Sequence, residues 1–251
     1  MLIAHISDLH VNRSSDFLAD TLHHIVDEVN QLQPDLAIIT GDLTDKGYEE
    51  EYADAKRILE RLKAKKTEVL IGNHDARYTG YTHFKKYYDE PSKLVKHDEI
   101  LLIKLDSTIM DIDQGYLAQH QLTLLEQGLT TAENQELKPI IALHHHILPV
   151  PDAGYERSVI GNVGDTLKTL VKRKPLLVLM GHRHRPWMWR FEGVTFIYAG
   201  AASTKKLRGY YHNTYNLIEL QNGKTYAYLK EVNKPRKPLD QYVAEEITKT
   251  Q

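Results

Sequence analysis

Five short apolar runs in this chain each stop on residues of the types that can ligate a metal: Asp, Asn and His. The run at 2–7 leads into Asp8-Leu9-His10, and that at 36–40 into Gly41-Asp42. The run at 67–71 leads into Gly72-Asn73-His74-Asp75, that at 140–143 into His144-His145-His146, and that at 176–180 into Gly181-His182-Arg183-His184. Between and after the first runs lie longer segments with apolar residues at helical spacing, at 17–32, 49–65, 117–129 and 163–171. A further strand is expected at 100–105. Strands alternating with helices predict βαβ units and a largely parallel sheet, hence an α/β fold. The last third differs: short strands at 187–192, 194–198, 214–220 and 225–230 are joined by Gly or Asn turns, which predicts an antiparallel extension. No linker divides the chain. Residues 1–232 read as one catalytic domain and 233–251 as a tail or peripheral helix.

In an open α/β sheet the carboxyl ends of the strands border one crevice. Asp8, His10, Asp42, Asn73, one of His144, His145 and His146, His182 and His184 are therefore expected to gather in one place. Residues at i and i+2 on extended backbone project to the same side, so Asp8 with His10, and His182 with His184, are each expected to grip one centre. Gly41 and Gly72 sit where the chain must turn sharply. Seven ligands are too many for one metal and suit two that share a carboxylate. Imidazole, carboxylate and amide oxygen together favour transition metals such as manganese, iron or zinc. There are no cysteines, so disulfides and thiolate sites are excluded.

Lys and Arg number 32 against 34 Asp and Glu. Such a balance gives no general pull toward nucleic acid or an anionic membrane. No apolar run approaches the roughly 20 residues that span a bilayer. The expectation is a soluble, cytoplasmic protein acting on a small molecule, with no membrane partner and nucleic acid not favoured. A homodimer through the C-terminal region is left open.

Taken in order, Asp8-x-His10, Gly41-Asp42, Gly72-Asn73-His74-Asp75, a later His and Gly181-His182-x-His184 resemble the calcineurin-like metallophosphoesterases, over roughly residues 1–220. The context around Ser7-Asp8-Leu9-His10 and Gly41-Asp42-Leu43-Thr44-Asp45-x-Gly47 is most similar to the class III cyclic-nucleotide phosphodiesterase group. The resemblance implies a four-layer α/β/β/α sandwich of two packed mixed sheets flanked by helices. It implies that Asp8, His10 and His184 bind one metal, that Asn73, His144 and His182 bind a second, and that Asp42 bridges them. His74 would be catalytic, acting beside the phosphoryl or leaving oxygen and oriented by Asp75. A hydroxide held between metals about 3.5–4 Å apart would attack phosphorus in line.

The family's His-His-Pro motif is here His144-His145-His146-Ile147-Leu148-Pro149. Alignment on the strand picks His144, with His145 or His146 as alternatives. Arg77, His145 and His146 are candidate substrate contacts, though Arg77 equally suits a salt bridge; Arg157 is a weaker candidate. The implied activity is hydrolysis of a phosphodiester, including a 3',5'-cyclic nucleotide. The alternatives are a nuclease of the Mre11 type and a non-catalytic scaffold, against which the complete ligand set weighs.

Overall fold

The computed structural model describes residues 1–154 and 159–249. Arg157 lies outside the described residues. The first half holds β1 (Leu2–Ile6), α1 (Ala19–Leu32), β2 (Leu36–Ile39), α2 (Glu49–Leu59), β3 (Lys66–Val69), α3 (Gly80–Tyr88), β4 (Lys93–His97) and β5 (Ile100–Lys104). The second holds α4 (Gln119–Asn134), β6 (Lys138–Ala142), α5 (Val163–Arg173), β7 (Leu177–Met180), β8 (Trp187–Phe191), β9 (Val194–Tyr198), β10 (Thr214–Gln221), β11 (Lys224–Glu231), β12 (Lys237–Pro238) and α6 (Leu239–Thr248).

These strands form two six-stranded sheets, ordered β12-β11-β10-β1-β2-β3 and β4-β5-β6-β7-β9-β8. In the first, β1, β2 and β3 run parallel while β10 and β11 are antiparallel additions. In the second, β5, β6, β7 and β9 run parallel, with antiparallel β4 and β8 at its edges. Alternation along β1 and β2 explains the layering. Ile3, Leu36 and Ile38 join the core that includes the second sheet, whereas Ala4, Ala37 and Ile39 join a core with Leu22, Ile25, Val26 and Val29 of α1 and Tyr52 and Ala55 of α2. Both faces of these strands are buried, which is why they read as unbroken apolar runs. Leu125 and Leu129 of α4 and Leu170 of α5 cover the second sheet's core. The molecule is thus an α/β/β/α sandwich.

This is the four-layer sandwich of two mixed sheets that the resemblance implies; element order alone points to a largely parallel sheet, because a βαβ chain reads alike whether its strands share a sheet or divide between two. A helix, α3, occupies most of the 76–91 segment that carried no predicted element, and β4 was also unforeseen. The C-terminal segment is ordered: Leu239, Tyr242 and Val243 of α6 are buried in the larger core. Among the described residues no helix is long and apolar enough to cross a membrane.

Candidate metal centre

The loop after β1 lies beside the loop after β2. Asp8 N donates to Gly41 O at 3.0 Å, His10 N to Asp42 O at 2.9 Å and Val11 N to Leu43 O at 2.9 Å. Asp8, His10, Asp42, His182 and His184 all have left-handed backbone, with φ of 55°, 50°, 52°, 76° and 56°. The extended backbone expected for the i, i+2 pairs is therefore corrected. For non-glycine residues this region costs on the order of 1–2 kcal/mol each, and surrounding bonds must hold such residues there. The loops also pass very close. A Cβ added to Gly72 would collide with the backbone nitrogen and carboxylate of Asp42, so no larger residue fits beside that ligand.

All seven residues are buried, none more than 8% exposed. Their donor atoms fall into two groups. In the first, His184 Nε2 lies 3.3 Å from Asp8 Oδ1, and His10 Nε2 lies 4.0 Å from the same oxygen. His10 Nε2 and His184 Nε2 are 2.9 Å apart. In the second, Asn73 Oδ1 lies 3.1 Å from His144 Nε2 and 3.0 Å from His182 Nδ1. Asp42 Oδ2 stands between the groups, 3.6 Å from His10 Nε2 and 3.3 Å from His144 Nε2. His182 and His184 thus part company, one to each group, contrary to their expected action as a pair.

The outer hydrogen bonds indicate what the inner atoms offer. His184 Nδ1 donates to the Lys206 carbonyl, and His144 Nδ1 donates to the Thr40 carbonyl at 2.7 Å. A neutral imidazole whose Nδ1–H is so engaged presents a bare lone pair at Nε2. His10 likewise turns Nδ1 toward Asp45 Oδ1 at 3.3 Å. Lone pairs of His10, His184 and Asp8 converge on one point, and those of His144, Asn73 and Asp42 on another. Such convergence is repulsive without a cation, and carbonyl-anchored imidazoles are a usual second shell of metal ligands. Asp8, His10, Asp42 and His184 keep their ligand atoms within 4.8 Å of one another. The donor set fits a pair of metal ions. The electrostatics agree: burial disfavours charge on His144, yet Asp42 and then Asp8 raise it to about 9, so without a metal the site draws a proton onto the Nε2 lone pair that a cation would otherwise take.

His74 stands at the open side of this cluster. Its backbone N–H donates to Asp42 Oδ1 at 2.9 Å, and its Nδ1 donates to the Asp45 carbonyl at 2.7 Å. Burial lowers it to about 4, which keeps the ring neutral. Asp75 does not orient it, a correction to the expected pairing. Neighbouring side chains in the turn diverge, and the Asp75 carboxylate instead accepts from Leu43 N, Thr44 N, Thr44 Oγ1 and Gly72 N, at 3.1, 2.9, 2.8 and 2.9 Å. It fastens the Asp42 loop to the Asn73 loop. Burial, and then the charge of Asp42, push its carboxyl up to about 7. Arg77 donates to His74 Nε2 at 3.2 Å and to Asp113 at 2.7 Å, so it forms a salt bridge beside the cluster.

Of the three consecutive histidines, only His144 reaches the cluster. His145 is fully buried between Ser107 Oγ at 2.8 Å and the Asp113 carbonyl at 3.2 Å, and His146 donates to the Gly181 carbonyl at 2.6 Å. Burial lowers both to about 3. Neither exposes an atom to a substrate, which corrects their expected role. Asp45, Asp113 and Lys206 were missed. Lys206 Nζ meets Asp45 Oδ1 at 2.5 Å, and Asp113 holds both Asn73 and Arg77. Only Asp45, inside a quoted motif, left a signal in the sequence. A cavity of about 560 Å³ lies elsewhere, by β3, Tyr87 and Tyr88. Its Lys104 is paired with Glu68, and it gathers no converging acceptors, so the donor geometry rather than cavity size locates the chemistry.

The calcineurin-like phosphoesterase family model matches residues 1–186. A 3',5'-cyclic-nucleotide phosphodiesterase of a Nostoc species is 30% identical over 217 residues, covering 80% of this chain and 77% of that protein. A glycerophosphodiester phosphodiesterase of Enterobacter lignolyticus is 26% identical over 212 residues, covering 78% and 75%. The crystal structure of a dimetal phosphatase from Danio rerio superposes with a TM-score of 0.70 over 95% of this chain and 98% of that one, at 13% identity, which is a likeness of fold.

Proposed function

The chain belongs to the calcineurin-like phosphoesterase family, and on that premise we propose that it is a dinuclear, metal-dependent phosphodiesterase whose foremost substrate class is a 3',5'-cyclic nucleotide. One observation carries the reading: Asp42 Oδ2 stands between two sets of converging lone pairs, 3.6 Å from His10 Nε2 and 3.3 Å from His144 Nε2. In this reading Asp8, His10 and His184 hold one ion, Asn73, His144 and His182 the other, and Asp42 both.

Two divalent transition-metal ions, manganese, iron or zinc, would make water acidic enough to attack phosphorus near neutral pH and would offset phosphoryl charge. The chain's own residues supply the rest. The Asp45 carbonyl holds His74 with its Nε2 toward the open side, beside the oxygen that departs. Arg77, which reaches that same nitrogen, adds positive charge where negative charge develops. The buried walls limit bulk water around the reacting atoms.

The test assays one metal-loaded sample on 3',5'-cyclic AMP, bis(p-nitrophenyl) phosphate, p-nitrophenyl phosphate and a glycerophosphodiester, with metal content measured alongside. Diester turnover and loss of most metal in Asp42→Ala are expected. An Asp42→Ala protein with full metal and undiminished turnover would overturn the assignment. The Enterobacter relative favours glycerophosphodiesters as a second reading, which the same assay separates. A homodimer and a cytoplasmic location complete the proposal, for sedimentation and cell fractionation to test.

A further inference from the structure

The rim beside His74 is made of two left-handed turns that hold each other. Tyr78 follows Arg77 with φ 51°, and Asp111 has φ 61° at the tip of a turn closed by Ile112 N donating to Ile109 O at 3.1 Å. Tyr78 N donates to the Asp111 carboxylate at 2.7 Å, and Arg77 donates to Asp113 at 2.7 Å. Bonds on both sides hold the two residues in this region.

The outcome of that backbone is an aromatic ring turned outward. Tyr78 is 62% exposed and stacks on the exposed ring of Tyr48, with centroids 5.8 Å apart and planes 20° from parallel. Neither tyrosine belongs to either core. Met110 and Ile112 are also exposed on the facing turn. Beside Tyr78 lies a cavity of about 460 Å³ lined by Arg77, Tyr78, Asp111 and Asp113, a size usual for small-molecule sites. Arg77 joins this cavity to the reaction centre through its bond to His74 Nε2.

We propose that Tyr78, backed by Tyr48, is the platform on which the nucleobase of a cyclic-nucleotide substrate stacks, with Asp111 and Asp113 accepting hydrogen bonds from the base or the ribose. The inference rests on the phosphodiesterase reading of the metal centre. A nucleobase offers a flat π face to a tyrosine ring, and its amino and imino groups, like a ribose hydroxyl, donate to carboxylates. The same carboxylates repel phosphate. They orient the substrate with its phosphoryl group toward the metal ligands and its base toward the rim. A glycerol leaving group has no ring to stack, so the platform separates the two substrate classes.

The experiment compares wild type, Tyr78→Ala and Tyr78→Phe, all metal-loaded, on 3',5'-cyclic AMP and on glycerophosphoethanolamine. The expected result is that Tyr78→Ala raises the ratio of the KM for cyclic AMP to that for glycerophosphoethanolamine by about tenfold, the scale of one lost base–aromatic stack. Tyr78→Phe, which keeps the ring, should restore the wild-type ratio. An unchanged ratio in Tyr78→Ala, with cyclic AMP turned over, overturns the platform and leaves the phosphodiesterase reading standing. Wild-type turnover of glycerophosphoethanolamine without cyclic AMP does the same. Turnover of neither diester overturns both.

Discussion

The side-chain amide of Asn73 donates to Asp113 Oδ1 at 3.1 Å, while its oxygen faces His144 Nε2 at 3.1 Å and His182 Nδ1 at 3.0 Å. Only the oxygen of an amide can ligate a metal, and Asp113, by accepting from the NH2, holds Asn73 in the orientation that presents that oxygen. It also anchors Arg77 at 2.7 Å. Asp113→Ala should therefore free the amide and weaken one of the two metals by about tenfold or more, the usual effect of losing a ligand's outer partner. Metal stoichiometry at limiting metal reads this out. Equal loading of variant and wild type would show that Asp113 does not set the amide.

The approach of the Asn73 loop to Asp42 makes a second prediction, with a built-in control. Gly72→Ala drives a Cβ into the backbone and carboxylate of Asp42. It should cost about 2 kcal/mol, as overpacking does, and reduce metal content as well. Gly164→Ala, in the first turn of α5, meets nothing within 4 Å and should stabilise by about 0.5–1 kcal/mol through the lost flexibility of glycine. Thermal unfolding of the two variants gives shifts of opposite sign. A Gly72→Ala protein as stable and as metal-rich as wild type would rule out the close approach.

Glu246 on α6 makes a third. Its carboxylate lies 2.9 Å from Arg185 Nη2, and the Arg185 side chain is 2% exposed, one residue from His184. Among the described residues, Glu246→Ala leaves that buried guanidinium with Asp152, 3.6 Å away, as its remaining carboxylate, and with the Trp187 ring it packs over. Breaking one half of a buried pair costs about 3–5 kcal/mol, whereas replacing both halves by apolar residues is often neutral. Urea titration should find Glu246→Ala strongly destabilised and the double change Arg185→Met, Glu246→Leu largely recovered. A double variant worse than Glu246→Ala would argue against a simple ion pair.

Much of this could be read before the structure, and what could not has physical reasons. The ligands were legible because each lies where an apolar strand ends, and strand ends share one crevice. Their left-handed backbone was not, since Asp and His, unlike Gly, do not announce it. His144 was separable from His145 and His146 only by where their nitrogens lead: His144 Nε2 faces Asn73 and Asp42, whereas His145 bonds Ser107 and His146 the Gly181 carbonyl. Helix α3 did leave a trace, with Tyr81, Phe84 and Tyr88 at helical spacing, hidden by Gly80 at its start. Asp113 left none, because it reaches Asn73 from a loop 40 positions away in sequence.

The last prediction concerns acid. His5 on β1 is fully buried, with Nε2 3.0 Å from Thr40 Oγ1, and burial lowers it to about 3. In the unfolded chain an unperturbed His titrates near 6.5. Between those values the unfolded state binds a proton that the folded state refuses. His5 therefore contributes full stability above pH 6.5, and this contribution is lost as pH falls toward 3. Each such group adds up to about 1.4 kcal/mol per pH unit to the slope. His5→Gln keeps a polar partner for Thr40 without the titration. In chelator-treated protein, which removes the pH dependence of metal binding, urea unfolding from pH 7 to 4 should show a slope shallower in His5→Gln than in wild type by about that amount. Parallel slopes would mean that His5 gains a proton in the folded state as readily as in the unfolded one.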